Sequence, residues 1–169
     1  MPSKIKQICL GGSFVATLIA TPFIVKWEGT ENRAYQDIVG VWTICSGETK
    51  NVRKGQHMTD SECVALTQER ILEFAEGVDD LVTVPMTAKY HASLTSWAYN
   101  VGLGAASKST LVRVLNRGDY EGACEQLIKK DYSSGRCRGY GCGYAGGLMV
   151  RGLQNRRQDE HSLCVEGID

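Results

Sequence analysis

Within the stretch KWEGTENRAYQDIVGVWTICSGETK, Glu28, Asp37 and Thr43 supply a pair of carboxylates and a hydroxyl of the types needed for hydrolysis at an acetal. A glycosidic bond needs an acid to protonate the leaving oxygen. It also needs a carboxylate to orient water or to stabilise positive charge on the sugar. Glu28 follows Trp27 and an uncharged run, a setting expected to be apolar and to favour the neutral acid that can donate a proton. Asp37 stands in a polar stretch before Ile38, Val39 and Gly40, where a turn would leave it solvated and ionised. Thr43 lies six residues further on, and its hydroxyl could hold a water on the face opposite Glu28. Two carboxylates nine residues apart are ordinarily solvated surface charge. Whether this pair is more than that depends on the elements that position it.

The chain has 169 residues, enough for one domain with a real core. Its 19 Lys and Arg balance 19 Asp and Glu, so nothing in the charge points to nucleic acid. Arg151, Arg156 and Arg157 cluster near the end and read as a solvated helix face. Seven cysteines occur without a CxxC pair, and His57, His91 and His161 are scattered. Neither a metal site nor a cofactor is expected. That cysteine count indicates an oxidising compartment, with up to three disulfides and one cysteine left over. Cys9 stands apart from the others. Cys137 and Cys142 are close enough to staple their own loop. Cys63, Cys124 and Cys164 are expected to serve the fold, and any of them could partner Cys45.

Lys4 and Lys6 precede an uncharged run from Ile8 to Val25. A basic start followed by such a run predicts a signal anchor or a cleaved signal, and its length is near the minimum for a span. Gly11, Gly12, Ser13, Thr17 and Thr21 dilute its apolarity, and Pro22 is expected to break it. The positive start would stay in the cytoplasm and send the remainder outward. Cleavage near Ala20, or burial of the run as an ordinary helix or strand, are the alternatives.

From Lys26 to Val52 the pattern predicts a helix end and then a hairpin or three-stranded sheet. Thr59 and Glu62 have capping-box spacing and open a helix expected to end near Gly77. Further helices are predicted after Thr87, Ser109 and Asp119, the first stopped by Gly102 and Gly104. SSGRCRGYGCGYAGG holds six of the nineteen glycines and predicts a long loop or flap. Leu148 to Cys164 closes the chain as a helix. The architecture expected is α+β: a small β lobe joined to a mostly helical lobe, with a ligand cleft between them.

Glu28, eight residues, Asp37, five residues, Thr43, set among Tyr35, Gly40, Trp42 and Gly47, resembles the phage-type lysozymes of glycoside hydrolase family 24. That family includes the T4-like enzymes and the lambdoid signal-anchor-release endolysins. The resemblance continues through TSWAYNVGLG, STLVRVLNRGDYEGAC and GLMVRGLQNRRQDEHSLC, covering essentially everything from residue 26. It implies a lysozyme-like α+β fold, an anchor at residues 1–25 and a catalytic domain at 26–169. It implies a muramidase that hydrolyses the β-1,4 bond between N-acetylmuramic acid and N-acetylglucosamine. Glu28 matches the general acid, Asp37 the second carboxylate and Thr43 the hydroxyl that places the water. The partners implied are peptidoglycan strands and, before release into the periplasm, the host inner membrane. A monomer without nucleic acid is expected. Ser46 and Glu48 stand where relatives often carry His, so no histidine helper is implied. Some members link the anchor to a cysteine near the site, which raises a Cys9–Cys45 bond for this chain. The competing readings are a non-catalytic disulfide-bonded binding module and a lytic transglycosylase, which closes an anhydro sugar without water.

Overall fold

The computed structural model describes residues 4–37, 39–129, 144–145, 148–149 and 151–168. Its elements run α1 (Lys4–Glu28), β1 (Glu31–Gln36), β2 (Trp42–Cys45), α2 (Asp60–Leu81), α3 (Ala88–Val101), α4 (Leu103–Ala106), α5 (Thr110–Leu115), α6 (Tyr120–Ile128), β3 (Tyr144–Ala145), β4 (Leu148–Met149) and α7 (Arg151–Val165). The fold is the expected one, a small β lobe beside a predominantly helical lobe. The β lobe is a two-stranded hairpin rather than three strands, with Tyr35 opposite Thr43 and Gln36 opposite Trp42.

The helix starts follow from side chains that satisfy the otherwise unpaired first-turn N–H groups. Thr59 accepts from the Glu62 N–H, while the Glu62 carboxylate accepts from the Thr59 N–H at 2.7 Å. That backbone hydrogen bond, with the Thr59 hydroxyl, holds the Glu62 carboxyl below its ordinary range. Thr87, Ser109 and Asp119 cap α3, α5 and α6 in the same manner. Gly102, at φ 84°, ends α3 where expected. Gly77 does not end α2. The helix runs on to Leu81, and Gly77 lets the Leu103 side chain approach to 2.4 Å of where a Cβ would stand.

Helix α3 runs through the middle of the helical lobe, and every residue from Tyr90 to Ala98 is buried. Its Tyr90, Leu94 and Trp97 pack with Leu111, Leu115 and Leu127 in the main core. The Cys124–Cys164 disulfide ties α6 to α7 in that core. Ile44 lies under the hairpin with Cys45 and Cys63, whose disulfide joins β2 to α2. These are the fold-serving roles expected of Cys63, Cys124 and Cys164. With Cys45 bonded to Cys63, the Cys9–Cys45 bond is not formed here. Cys137 and Cys142, and most of the glycine-dense segment, lie outside the described residues. Tyr144–Ala145 and Leu148–Met149 pair as a short hairpin, so the closing helix begins at Arg151 rather than Leu148.

Helix α1 differs most from expectation. It passes unbroken through Pro22 and Val25 to Glu28. Proline removes one N–H bond, to the Leu18 carbonyl four residues back. Leu18 is half exposed, so that carbonyl can turn to water. Ser13, Ala16, Thr17, Ala20, Thr21 and Ile24 form one buried stripe, in which Ala16, Ala20 and Ile24 pack with Ile71, Ala92 and Leu163. Among the described residues, no helix is long and apolar enough to cross a membrane.

Candidate active site

Glu28 is the last residue of α1, and Gly29, at φ 73°, turns the chain out of the helix into β1. Its N–H still bonds the Val25 carbonyl at 3.0 Å, closing the helix in the left-handed conformation glycine adopts without strain. The helix end thus delivers Glu28 to a cavity of about 240 Å³ lined by Ser46, Gly47, Arg70, Phe74, Tyr99 and Asn100. Its side chain is 28 % exposed.

What faces Glu28 is a cation, not the apolar wall expected beside Trp27. Arg156 Nη1 donates to Glu28 Oε1 at 2.6 Å. The same guanidinium donates through Nε to Glu160 Oε1 at 3.0 Å and through Nη2 to the Ser96 carbonyl at 3.0 Å. Arg157 donates to the other Glu160 oxygen and to Asn100 Oδ1. Ser96 Oγ donates to Glu160 Oε1 at 2.8 Å. Arg156, Arg157 and Glu160 are all buried, so two of the three arginines read as a solvated face belong to an internal charge network, while Arg151 is exposed as expected. Two guanidiniums meet two carboxylates, which is what allows charge to be buried at all. Burial lowers the Arg157 guanidinium, and Glu160 opposes that shift.

A second set of bonds fixes the backbone next to the acid. Ser46 Oγ donates to the Gly29 carbonyl at 2.9 Å, and Tyr99 OH donates to the Ser46 carbonyl at 3.1 Å. Burial, then Glu28 and Glu48, push the Tyr99 phenol up to about 12, so it remains a donor at neutral pH. Ser46 sits in a tight turn closed by paired bonds between Ile44 and Glu48. Cys45, in that turn, holds φ 55°, a conformation an L side chain adopts only where its surroundings compel it. The Cys45–Cys63 disulfide and the closed turn supply that constraint.

Asp37 and Thr43 belong to the hairpin. Asp37 Oδ1 accepts the Val39 N–H at 2.9 Å and the Val41 N–H at 2.8 Å, leaving Oδ2 outside these bonds. The Asp37 N–H bonds the Val41 carbonyl at 2.9 Å, continuing the pairing of Tyr35 with Thr43. Opposed residues share a face of a sheet, as do residues two apart. Asp37 and Thr43 therefore project from one face of the hairpin. Thr43 is buried and donates to the Val41 carbonyl at 3.1 Å, which leaves its lone pairs to accept. Neither residue lines the cavity at Glu28. Arg156, Glu160, Ser46 and Tyr99 escape the sequence reading. The i, i+4 spacing of Arg156 and Glu160 is the local sign of one such pair, but nothing local shows that it is buried.

The family model described as phage lysozyme matches residues 25–160. A protein named SAR-endolysin from Enterobacteria phage PA-2 is 37% identical over 141 residues, 83% of this chain and 78% of that one. Another SAR-endolysin, from Pseudomonas phage phiKMV, is 33% identical over 159 residues, 93% of this chain and 91% of the relative. Among solved structures, the muramidase domain of SpmX from Asticaccaulis excentricus superposes with a TM-score of 0.72 at 26% identity, covering 87% of this chain and 95% of that one. With the family model spanning most of its length, the protein belongs to the phage lysozyme family, glycoside hydrolases that act on peptidoglycan.

Proposed function

We propose that the protein is an endolysin that hydrolyses the β-1,4 bond between N-acetylmuramic acid and N-acetylglucosamine, with Glu28 as general acid. The observation that carries this reading is the fixing of Glu28 at a helix end inside a cleft. Oε1 is bound by Arg156 at 2.6 Å, and Oε2, in the protonated form of Glu28, carries the proton that passes to the leaving glycosidic oxygen. Asp37 and Thr43 act from the hairpin. Thr43, whose own proton is donated to the Val41 carbonyl, accepts from a water and so aims that water's oxygen lone pair at the anomeric carbon. Asp37 Oδ2 takes the proton of that water or stabilises the developing cation. This is a single displacement with inversion.

Replacing Glu28 by Gln removes the proton donor and is expected to lower the cleavage rate of purified peptidoglycan by ~10²–10⁴, with folding retained. Near-wild-type activity in that variant would remove Glu28 from the role. Muropeptides ending in an anhydro sugar would replace hydrolysis by transglycosylation.

Residues 1–25 act as the anchor and 26–169 as the catalytic domain. Relatives named SAR-endolysin, and the basic start followed by an uncharged run, support this reading. The enzyme is first held in the host inner membrane facing the periplasm and is then released uncleaved. The glycines, serine and threonines of the run weaken its hold on lipid. Fractionation before and after an uncoupler tests this. Full-length protein moving from membrane to soluble fraction is expected. A shortened protein already soluble beforehand would defeat it.

A further inference from the structure

The buried stripe of α1 is unusual in composition. The side turned to the protein carries Ser13, Ala16, Thr17, Ala20, Thr21 and Ile24, while Phe14, Val15 and Leu18 are 58%, 44% and 50% exposed. A helix that docks on a globular domain ordinarily turns its apolar side inward. The stripe also repeats every four residues: Ser13, Thr17, Thr21 on one row and Ala16, Ala20, Ile24 on the next. Small side chains at a four-residue repeat define lateral position well and axial register poorly. A slip of four residues presents nearly the same surface, yet it moves the helix end by ~6 Å. An error of ~1 Å at a reacting group is already costly to catalysis.

Hydrogen bonding separates the three hydroxyls. Thr17 Oγ1 donates to the Ser13 carbonyl at 2.8 Å, and Thr21 Oγ1 to the Thr17 carbonyl at 2.7 Å. Both bonds lie within α1, so they travel with the helix in any surroundings. Ser13 Oγ reaches another element, donating to Asp79 Oδ2 on α2. Asp79 Oδ1 lies 3.7 Å from His91 Nε2 on α3, and that nitrogen is 3.0 Å from the Ala75 carbonyl oxygen. Asp79 and His91 are 19% and 4% exposed at the side chain. The acceptor for Ser13 is therefore a carboxylate framed by two helices, fifteen residues back along α1 from Glu28.

We propose that Asp79 is a positioning residue for Glu28: its bond to Ser13 sets the axial register in which α1 docks, and so where the acid stands in the cleft. A single buried polar contact can set the register of an otherwise repetitive helix seam. This deepens the proposed function and rests on its reading that residues 1–25 leave the membrane and dock on the domain. While α1 is elsewhere, Asp79 is hydrated. Docking replaces that hydration by the Ser13–Asp79 bond.

The test uses the full-length, oxidised, soluble protein and the variants Ser13→Ala, Asp79→Ala, their combination, and Asp79→Asn. Amide hydrogen exchange is followed along residues 13–28 and, as an internal reference, along α3. Losing a hydrogen bond to a charged acceptor is expected to speed exchange in α1 by on the order of ten- to a hundredfold relative to α3. The double variant should be no faster than Asp79→Ala alone. Asp79→Asn keeps an acceptor oxygen and should show a smaller rise. Turnover of purified peptidoglycan should show kcat falling with KM unchanged, because misregistered molecules bind substrate but lack a placed acid. Unchanged α1 exchange in both single variants would overturn the proposal, as would single effects that multiply in the double variant. Should Asp79→Ala not fold, Ser13→Ala and Asp79→Asn give the same reading. Exchange is measured on the protein itself. A wild-type chain that fails to cut peptidoglycan would therefore sink the proposed function and leave this test standing.

Discussion

Glu160 is where the charge network is most exposed to perturbation. Its side chain is fully buried and takes bonds from Arg156, Arg157 and Ser96. Glu160→Ala would leave two guanidiniums, each 3–4 % exposed, facing Glu28 as the remaining carboxylate of the network. Arginine does not lose its proton to relieve this. Breaking a buried ion pair from one side costs ~3–5 kcal/mol, against a total stability of roughly 5–15 kcal/mol for a domain. For a chain of this length that corresponds to a Tm lowered by roughly 6–20 °C. Glu28→Gln is the contrasting variant. Its side chain is 28 % exposed, and the amide oxygen still accepts from Arg156, so the expected loss is smaller, roughly 1–2 kcal/mol. Urea unfolding of the oxidised proteins measures both, read as a shift in midpoint at unchanged m. The two variants should separate: Glu160→Ala loses stability, Glu28→Gln loses turnover. A Glu160→Ala loss under about 1 kcal/mol, or equal losses in the two variants, would refute the view that this network is a buried, mutually dependent unit.

Thr43→Val removes the hydroxyl but keeps the shape, and should slow turnover by on the order of 10²-fold, with Thr43→Ser recovering most of it; equal rates for Val and Ser would exclude a water-holding role. Intact-mass labelling without reduction should find Cys45, Cys63, Cys124 and Cys164 protected. The loops they close span 18 and 40 residues, so Cys63→Ser and Cys124→Ser should each cost ~3–4 kcal/mol; labelling of any of the four in the native protein would contradict the pairing. Early proton NMR of the product should show the inverted anomer at the new reducing end, and a retained anomer would mean a covalent intermediate in place of the Thr43-held water.

The features legible in the chain alone are those whose physics is short-range. Thr59, Thr87, Ser109 and Asp119 cap helices because each side chain reaches an N–H three residues ahead, whatever the rest of the molecule does. The turn that holds Asp37 is equally local, closed by bonds to Val39 and Val41. The spacing of Glu28, Asp37 and Thr43, with the segments around it, carried the resemblance that the comparisons bear out at the level of family. Tertiary structure alone decided the surroundings of those residues. Arg156 lies 128 positions from Glu28, so no window of sequence could show that a basic stretch with a weak apolar pattern turns inward and pairs with the carboxylate at the end of α1. Gly77 has the composition of a helix stop, yet the approach of Leu103 makes it a contact point inside the helix. The face of α1 that carries Ser13, Thr17 and Thr21 beside Ala16, Ala20 and Ile24 is the one turned inward, because Ile71, Ala92 and Leu163 pack against its apolar members and Asp79 stands where Ser13 arrives. Hydropathy along the segment records how apolar each residue is. Which side is buried depends on the shape and charge of a partner surface built from distant parts of the chain.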